Sequence, residues 1–311
     1  MRTGITVAGN IFADHIRYIE KYPLKGTLSN IRGEELCVGG CVSNTAICLK
    51  KLDAKLKVSA VGRIGNDAEK KFLLERLRFY GVETKDIITD ANAKTGYTDV
   101  YSELGSGDRT FFNYRGANAF FRAGDFDFSE SGCRIFHLGY ALLLDSLDAP
   151  HPELGTNMAF MLKIAWENGI KTSLDAASEN KSRYKDCIIP PLKYTNYAIM
   201  YEIESGITFS IPARDTDGRL NLKNLRRICE AFLSAGAQGL CCDSRTGSRL
   251  HSGRRRPLYE PAVARHPRGL YQRDRRRGAG GHIKGRFMRR RQPFSRGFDK
   301  RNEGIRRSNA A

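Results

Sequence analysis

Three short stretches of this 311-residue chain carry residue types suited to a polar ligand. The first is the octet Gly39-Gly40-Cys41-Val42-Ser43-Asn44-Thr45-Ala46. Its glycines let backbone approach a ligand without interference from a Cβ. The Asn44 amide both donates and accepts, which suits hydroxyl groups. The second is the pair Asn10 and Asp14, just beyond the apolar run Ile5-Thr6-Val7-Ala8-Gly9, where strand ends of α/β folds present ligand contacts. The third is the stretch Glu202-Ile203-Glu204, which closes the apolar run Tyr197–Tyr201. Each also has a plainer reading. The octet could be a helix N-terminus with no ligand, Asp14 a cap for a helix starting at His15, and the two glutamates exposed acids opening a helix.

The elements that must position these residues alternate along the chain. Ala46, Ile47, Leu49 and Leu52 have helical spacing and predict a helix over 43–53. Leu56–Val61 follows as a strand. Glu69–Tyr80 is an amphipathic helix closed by Gly81, with Phe72, Leu73, Leu77 and Tyr80 on one face. Gly96–Glu103 and Arg109–Tyr114 alternate around Gly105-Ser106-Gly107-Asp108, a hairpin signal. Further strands are expected at Arg134–Leu138, Lys171–Asp175, Tyr197–Tyr201 and from Gly239, with helices from about His151 to Glu167 and over Leu222–Ala235. Strands alternating with helices predict an α/β fold, a doubly wound and mostly parallel sheet flanked by helices. The early hairpins would form a small antiparallel appendage. Gly9-Asn10-Ile11-Phe12 after the first strand is not GxGxxG, which argues against a nicotinamide dehydrogenase.

Composition divides the chain in two. Residues 1–240 carry 31 Lys and Arg against 29 Asp and Glu, whereas 241–311 carry 21 against 5, nearly all of them Arg. The net charge of +18 therefore comes from the tail and does not imply a nucleic-acid surface on the first part. No apolar run reaches the roughly 18 residues of a membrane span. The N-terminus reads directly as a strand, with no expected signal peptide. Eight scattered cysteines without a CxxC pair suit reduced thiols in a cytoplasm.

Taken in order, these residues resemble the ribokinase-like (PfkB) carbohydrate kinase family over residues 1 to about 240. The resemblance rests on Asn10-Ile11-Phe12-Ala13-Asp14-His15-Ile16, on Gly39-Gly40 with Asn44, on Gly62-Arg63-Ile64-Gly65-Asn66-Asp67 with Gly81-Val82, and on Arg109 through Asn118. It implies an ATP- and Mg²⁺-dependent kinase acting on a sugar or sugar-like hydroxyl, with a β lid built from about 10–38 and 95–118 and pairing of two copies through that lid. It also implies sugar contacts from Asp14, Gly39, Gly40 and Asn44, with Asn113 and Arg115 on one face of the lid strand. Asp14 can accept from two hydroxyls while Asn44 donates and accepts.

The phosphate side departs from the family. Where the family has an Asn-x-x-Glu element that organises magnesium, this chain has Tyr201-Glu202-Ile203-Glu204, keeping only Glu204. Where it has a Gly-Ala-Gly-Asp whose amides form an anion hole and whose Asp is the base, this chain has Gly278-Ala279-Gly280-Gly281. Gly281 has no proton acceptor, so an impaired kinase is expected. The alternatives are a non-catalytic sugar binder, or a nucleic-acid binder using the basic tail. Residues 241–311, with Arg254-Arg255-Arg256, Arg275-Arg276-Arg277 and Arg289-Arg290-Arg291, have the composition of a GC-rich gene read one base out of frame. Such sequence offers little apolar area, so 241–300 are expected to pack poorly.

Overall fold

A computed structural model of the chain describes residues 2–179 and 183–243, and the backbone of 249–253 and 258–260. Its first half contains β1 (Ile5–Gly9), β2 (Phe12–Ile19), β3 (Ile31–Gly39), α1 (Gly40–Leu52), β4 (Val58–Ile64), α2 (Ala68–Phe79), β5 (Ile87–Thr89), β6 (Gly96–Glu103), β7 (Arg109–Tyr114) and β8 (Ile135–Ala141). The second half contains α3 (Asp145–Asp148), β9 (Pro150–His151), β10 (Gly155–Thr156), α4 (Asn157–Glu167), β11 (Lys171–Ala176), α5 (Tyr184–Leu192), β12 (Tyr197–Tyr201), α6 (Glu202–Thr208), α7 (Leu222–Ser234), β13 (Gly239–Asp243), β14 (Arg249–Gly253) and β15 (Leu258–Glu260).

The main sheet runs β15-β14-β13-β12-β11-β8-β1-β4-β5. The seven strands from β13 to β5 pair in parallel, while β14 and β15 add antiparallel. A parallel sheet is covered on both faces, so its strands read as continuous apolar runs. Alternate residues of β1 show this. Val7 joins Val42, Ile47, Leu73 and Leu77 of α1 and α2 on one face. Ala8 joins Leu138, Leu162 and Leu174 on the other, the side covered by α4, α5 and α7.

The predicted appendage is present as a second sheet in the order β3-β2-β6-β7. It consists of two antiparallel pairs, β2 with β3 and β6 with β7, whose inner strands β2 and β6 run parallel. Asp14 therefore lies in a strand rather than ahead of a helix at His15. The helix expected from about His151 begins at Asn157 instead, because Pro150–His151 and Gly155–Thr156 form a small antiparallel pair first and Thr156 caps the helix by accepting from Ala159 N–H.

The strand expected from Gly239 is β13, and within the stretch expected to pack poorly the backbones of 249–253 and 258–260 extend the main sheet beside it. The apolar Gly239-Leu240-Cys241-Cys242 explains β13, since Leu240 and Cys242 are buried. The remainder of 241–311, including all three arginine triplets and Gly278 to Gly281, lies outside the described residues.

Candidate functional site

The octet's glycines are required by close approach. Gly40 has φ +82°, and a Cβ there would stand 2.4 Å from the Asn10 carbonyl oxygen. A Cβ on Gly39 would stand 2.3 Å from the Asp14 carboxylate. The end of β3 and the start of α1 thus lie directly against Asp14, two segments that sequence order keeps apart. Asn118 holds the β1–β2 junction from the other side: its amide accepts from Ile11 N–H (2.9 Å) and donates to the Ile11 carbonyl (3.0 Å).

Asp14 is the centre of a chain across the lid sheet. Asp14 is in register with Thr98, and Thr98 with Asn113. Asn113 Nδ2 donates to Thr98 Oγ1 (3.1 Å), and the Thr98 hydroxyl hydrogen-bonds Asp14. Burial pushes the Asp14 carboxyl up to about 6, against the opposing pull of Thr98, His15 and Arg109. A single hydroxyl partner leaves this carboxylate with unused lone pairs.

The floor beneath is built where β8 ends. Tyr140 (φ 59°) and Leu142 (φ 80°) adopt left-handed backbone, unusual for residues with side chains. The surroundings hold them there. Asp175 Oδ1 accepts from Tyr140 N–H, the buried Asp148 carboxylate accepts from Leu142 and Leu144 N–H (3.0 Å each), and Asn10 Nδ2 donates to the Leu143 carbonyl (2.8 Å). Such enforced backbone gathers at functional sites. The Tyr140 side chain hydrogen-bonds Asn44, and burial raises its phenol well above the ordinary range, with the charges of Cys41, Asp175 and Asp14 adding to that. Asn44 itself is exposed. Asp14, Asn44 and Tyr140 therefore share one electrostatic neighbourhood at the C-terminal ends of the strands. A separate cleft lined by Thr3, Lys57, Ser59, Lys85 and Asp127 opens at the opposite, N-terminal ends of β1 and β4 and holds none of the predicted residues.

Arg115 does not follow the lid strand. It lies beyond β7 with helical backbone, and its guanidinium turns to Glu179 Oε1 (3.1 Å), Asp145 Oδ1 (3.4 Å) and the Leu142 carbonyl (3.3 Å). Alternation fails because the strand ends one residue earlier, at Tyr114. Arg115 is thus a brace for the loop that carries Leu142, while Asn113 remains on the Asp14 face.

The phosphate side is built differently. Glu202 and Glu204, readable as exposed acids, are 1% and 4% exposed. Glu204 Oε1 accepts from the Ser178 hydroxyl (2.6 Å) and Oε2 from Tyr201 N–H (3.0 Å), closing a capping box at the start of α6. Burial raises its pKa. Glu202 Oε1 is held by Arg214 (2.6 Å). A carboxylate with both oxygens engaged inside the protein does not fit a hydrated magnesium, which needs outward-facing oxygens and room for waters. The anion-hole residues Gly278, Ala279 and Gly280, with Gly281, lie outside the described residues.

Sequence reasoning missed Thr98 and Tyr140, neither of which stands in a glycine motif. The signal for Tyr140 was Gly139 inside a strand, where a glycine between bulkier residues marks close approach. A Cβ at Gly139 would strike the Cys41 sulfur at 1.6 Å.

A parallel α/β sheet with a β lid over its C-terminal strand ends, and a glycine turn set against a half-buried carboxylate, defines the class of ribokinase-like proteins. The chain matches the family described as pfkB family carbohydrate kinase over residues 2–244, and it belongs to that family. It is 26% identical over 239 residues to a bifunctional ribokinase/ribose-5-phosphate isomerase A of Fructilactobacillus sanfranciscensis, covering 76% of this chain and 41% of that protein. It is 24% identical over 266 residues to a ribokinase of Haemophilus influenzae, covering 81% and 78%. Among solved structures it is similar to Arabidopsis thaliana ribokinase complexed with ribose and ATP, with a TM-score of 0.65, 18% identity and 84% and 78% of the two chains covered. Among the described residues, no helix is long and apolar enough to cross a membrane.

Proposed function

We propose that the chain binds a sugar or sugar-like molecule between the lid and the C-terminal strand ends, and that its line of descent is that of an ATP-dependent sugar kinase. The observation that supports this best is Asp14. It is a half-buried carboxylate with a hydroxyl partner in Thr98, pressed against the Gly39–Gly40 backbone, and the exposed Asn44 follows Gly40 by one helical turn. Asp14 would accept from two sugar hydroxyls, Asn44 would donate and accept, and the lid strands would exclude water. ATP would supply the phosphoryl group. Glu204 is committed to its helix cap and would not hold the magnesium.

Gly281 stands where the family's base is implied and Tyr201 where its Asn is, so transfer is impaired while sugar binding persists. We further infer a cytoplasmic protein with no nucleic-acid partner. The exposed Leu36, Phe111, Phe112 and Tyr114 of the lid support pairing with a second copy. Calorimetry against a panel of pentoses, hexoses and nucleosides, with ATP turnover measured in parallel, tests the reading. Binding of at least one sugar is expected, with turnover that rises in a Gly281→Asp, Tyr201→Asn double variant. Absence of binding across the panel by a folded chain would overturn it; strong turnover in the unaltered chain would overturn the impairment.

A further inference from the structure

Cys41, His137 and Asp175 converge beneath the substrate floor, and the kinase reading gives them no role. Cys41 Sγ lies 3.5 Å from His137 Nε2, and Asp175 Oδ2 lies 3.6 Å from the same nitrogen. The three ligand-capable atoms all lie within 4.8 Å of one another. Cys41 is 1% exposed and His137 7%, so the group is set into the fold rather than spread on its surface.

The arrangement excludes a nucleophile relay. In a relay the imidazole takes a proton on one ring nitrogen while the acid holds the other. Here thiol and carboxylate address the same nitrogen, and Nδ1 is occupied by Ser173 Oγ (3.1 Å). Convergence of sulfur, nitrogen and oxygen on one point is instead what a tetrahedral cation requires. Bond lengths of about 2.0–2.3 Å for zinc place neighbouring ligand atoms about 3.3–3.7 Å apart, which matches both measured edges.

The supporting groups also suit a metal. A ligating histidine needs its other nitrogen fixed, and Ser173 does that. Asp175 spends Oδ1 on Tyr140 N–H, leaving Oδ2 for the ion. Gly139 has no side chain because the sulfur occupies that space. The three residues come from α1, β8 and β11, so the fold and not a local loop sets their spacing.

We propose that Cys41, His137 and Asp175 form a zinc site, with a fourth position left for water or a solute. One thiolate, one imidazole and one carboxylate are donors of zinc's borderline softness. On binding, the Cys41 thiol releases its proton to solvent. Occupancy bears on the substrate residues, since Asp175 holds the Tyr140 backbone and Tyr140 holds Asn44.

Cobalt(II) is the probe. The full-length chain, stripped with chelator, is titrated with Co²⁺ and then with Zn²⁺. The expected result is a thiolate-to-cobalt absorption in the near ultraviolet with tetrahedral visible bands, saturating at one equivalent and displaced by zinc. Cys41→Ser is expected to abolish the thiolate absorption, and Ser173→Ala to weaken affinity about 10–100-fold. A folded wild-type chain with no thiolate absorption overturns the proposal without recourse to any variant. An absorption that survives in Cys41→Ser, arising from Cys37 or Cys48, overturns it equally. Should Cys41→Ser fail to fold, retention of the band in His137→Gln would have the same force.

Discussion

The two halves of the site use the same residue types to opposite ends. At the lid, Asp14 is half-buried, with a hydroxyl partner in Thr98 and a backbone wall of glycine, and Asn44 is exposed. At the end of β12, Glu204 is buried with both oxygens satisfied from within, and Glu202 is paired with Arg214. Asp14, and Glu202 whose Oε2 is buried without a partner, keep hydrogen-bonding capacity that Glu204 has spent on its own fold. A carboxylate becomes a binding group through what the fold leaves unpaired, and a motif letter such as Glu204 does not report that.

Four measurements sharpen or break the comparison. Gly40→Ala should have the largest effect, since the new Cβ meets the Asn10 carbonyl and φ +82° disfavours any side chain. A cost of about 3 kcal/mol or more is expected, seen as a melting point lower by on the order of 10 °C. A variant as stable as the parent would show that the lid side is not held as tightly as described.

Asp14→Asn comes next. Losing charged acceptors for sugar hydroxyls should weaken binding about 100-fold or more, at about 1.5–3 kcal/mol for each hydrogen bond to a charge. The same variant should be more stable than the parent at pH 7.5. Asp14's folded pKa, about 6, lies above its ordinary 3.8, so its contribution to stability is lost as pH rises through that interval. Denaturant melts and calorimetry on one sample would show affinity and stability moving in opposite directions; both falling together would make Asp14 structural.

Sugar affinity in the parent should fall about tenfold per pH unit below about 6, as the acceptor is protonated. A flat profile between pH 5 and 7 would break the assignment. Glu204→Gln should have the smallest effect on binding. It should cost about 1–2 kcal/mol through the weakened cap and leave sugar affinity within about twofold. A magnesium-dependent change in turnover on that substitution would instead return Glu204 to the metal.

Much of the architecture was legible because a parallel sheet covered on both faces writes continuous apolar runs into the chain, as in β1 and β11. The glycine pair at 39–40 was legible for a related reason: close approach leaves only one residue type. What stayed hidden depends on pairing between distant segments. Thr98 reveals nothing until β6 lies beside β2, and in sequence Arg115 continues the alternation of β7, although the strand ends at Tyr114. Glu204's commitment to Ser178 was equally invisible, because a cap and a metal ligand look alike in one dimension. The Cys41, His137 and Asp175 cluster lacks any short spacing, coming from three separate elements.

The parallel seam between β2 and β6 has a consequence for how the chain is made. A lid of two self-contained hairpins could close as each left the ribosome. Here Asp14's strand finds its inner neighbour only after residues 96–103 have been synthesised, so its carboxylate waits through the whole of α1, β4 and α2 before Thr98 stands beside it. Translation therefore delivers α1, β4 and α2 before the lid sheet can close, and β8, β11, β12 and β13 of the main sheet only after it. A nascent chain halted before residue 96 should expose Asp14 to solvent and titrate it as an ordinary aspartate.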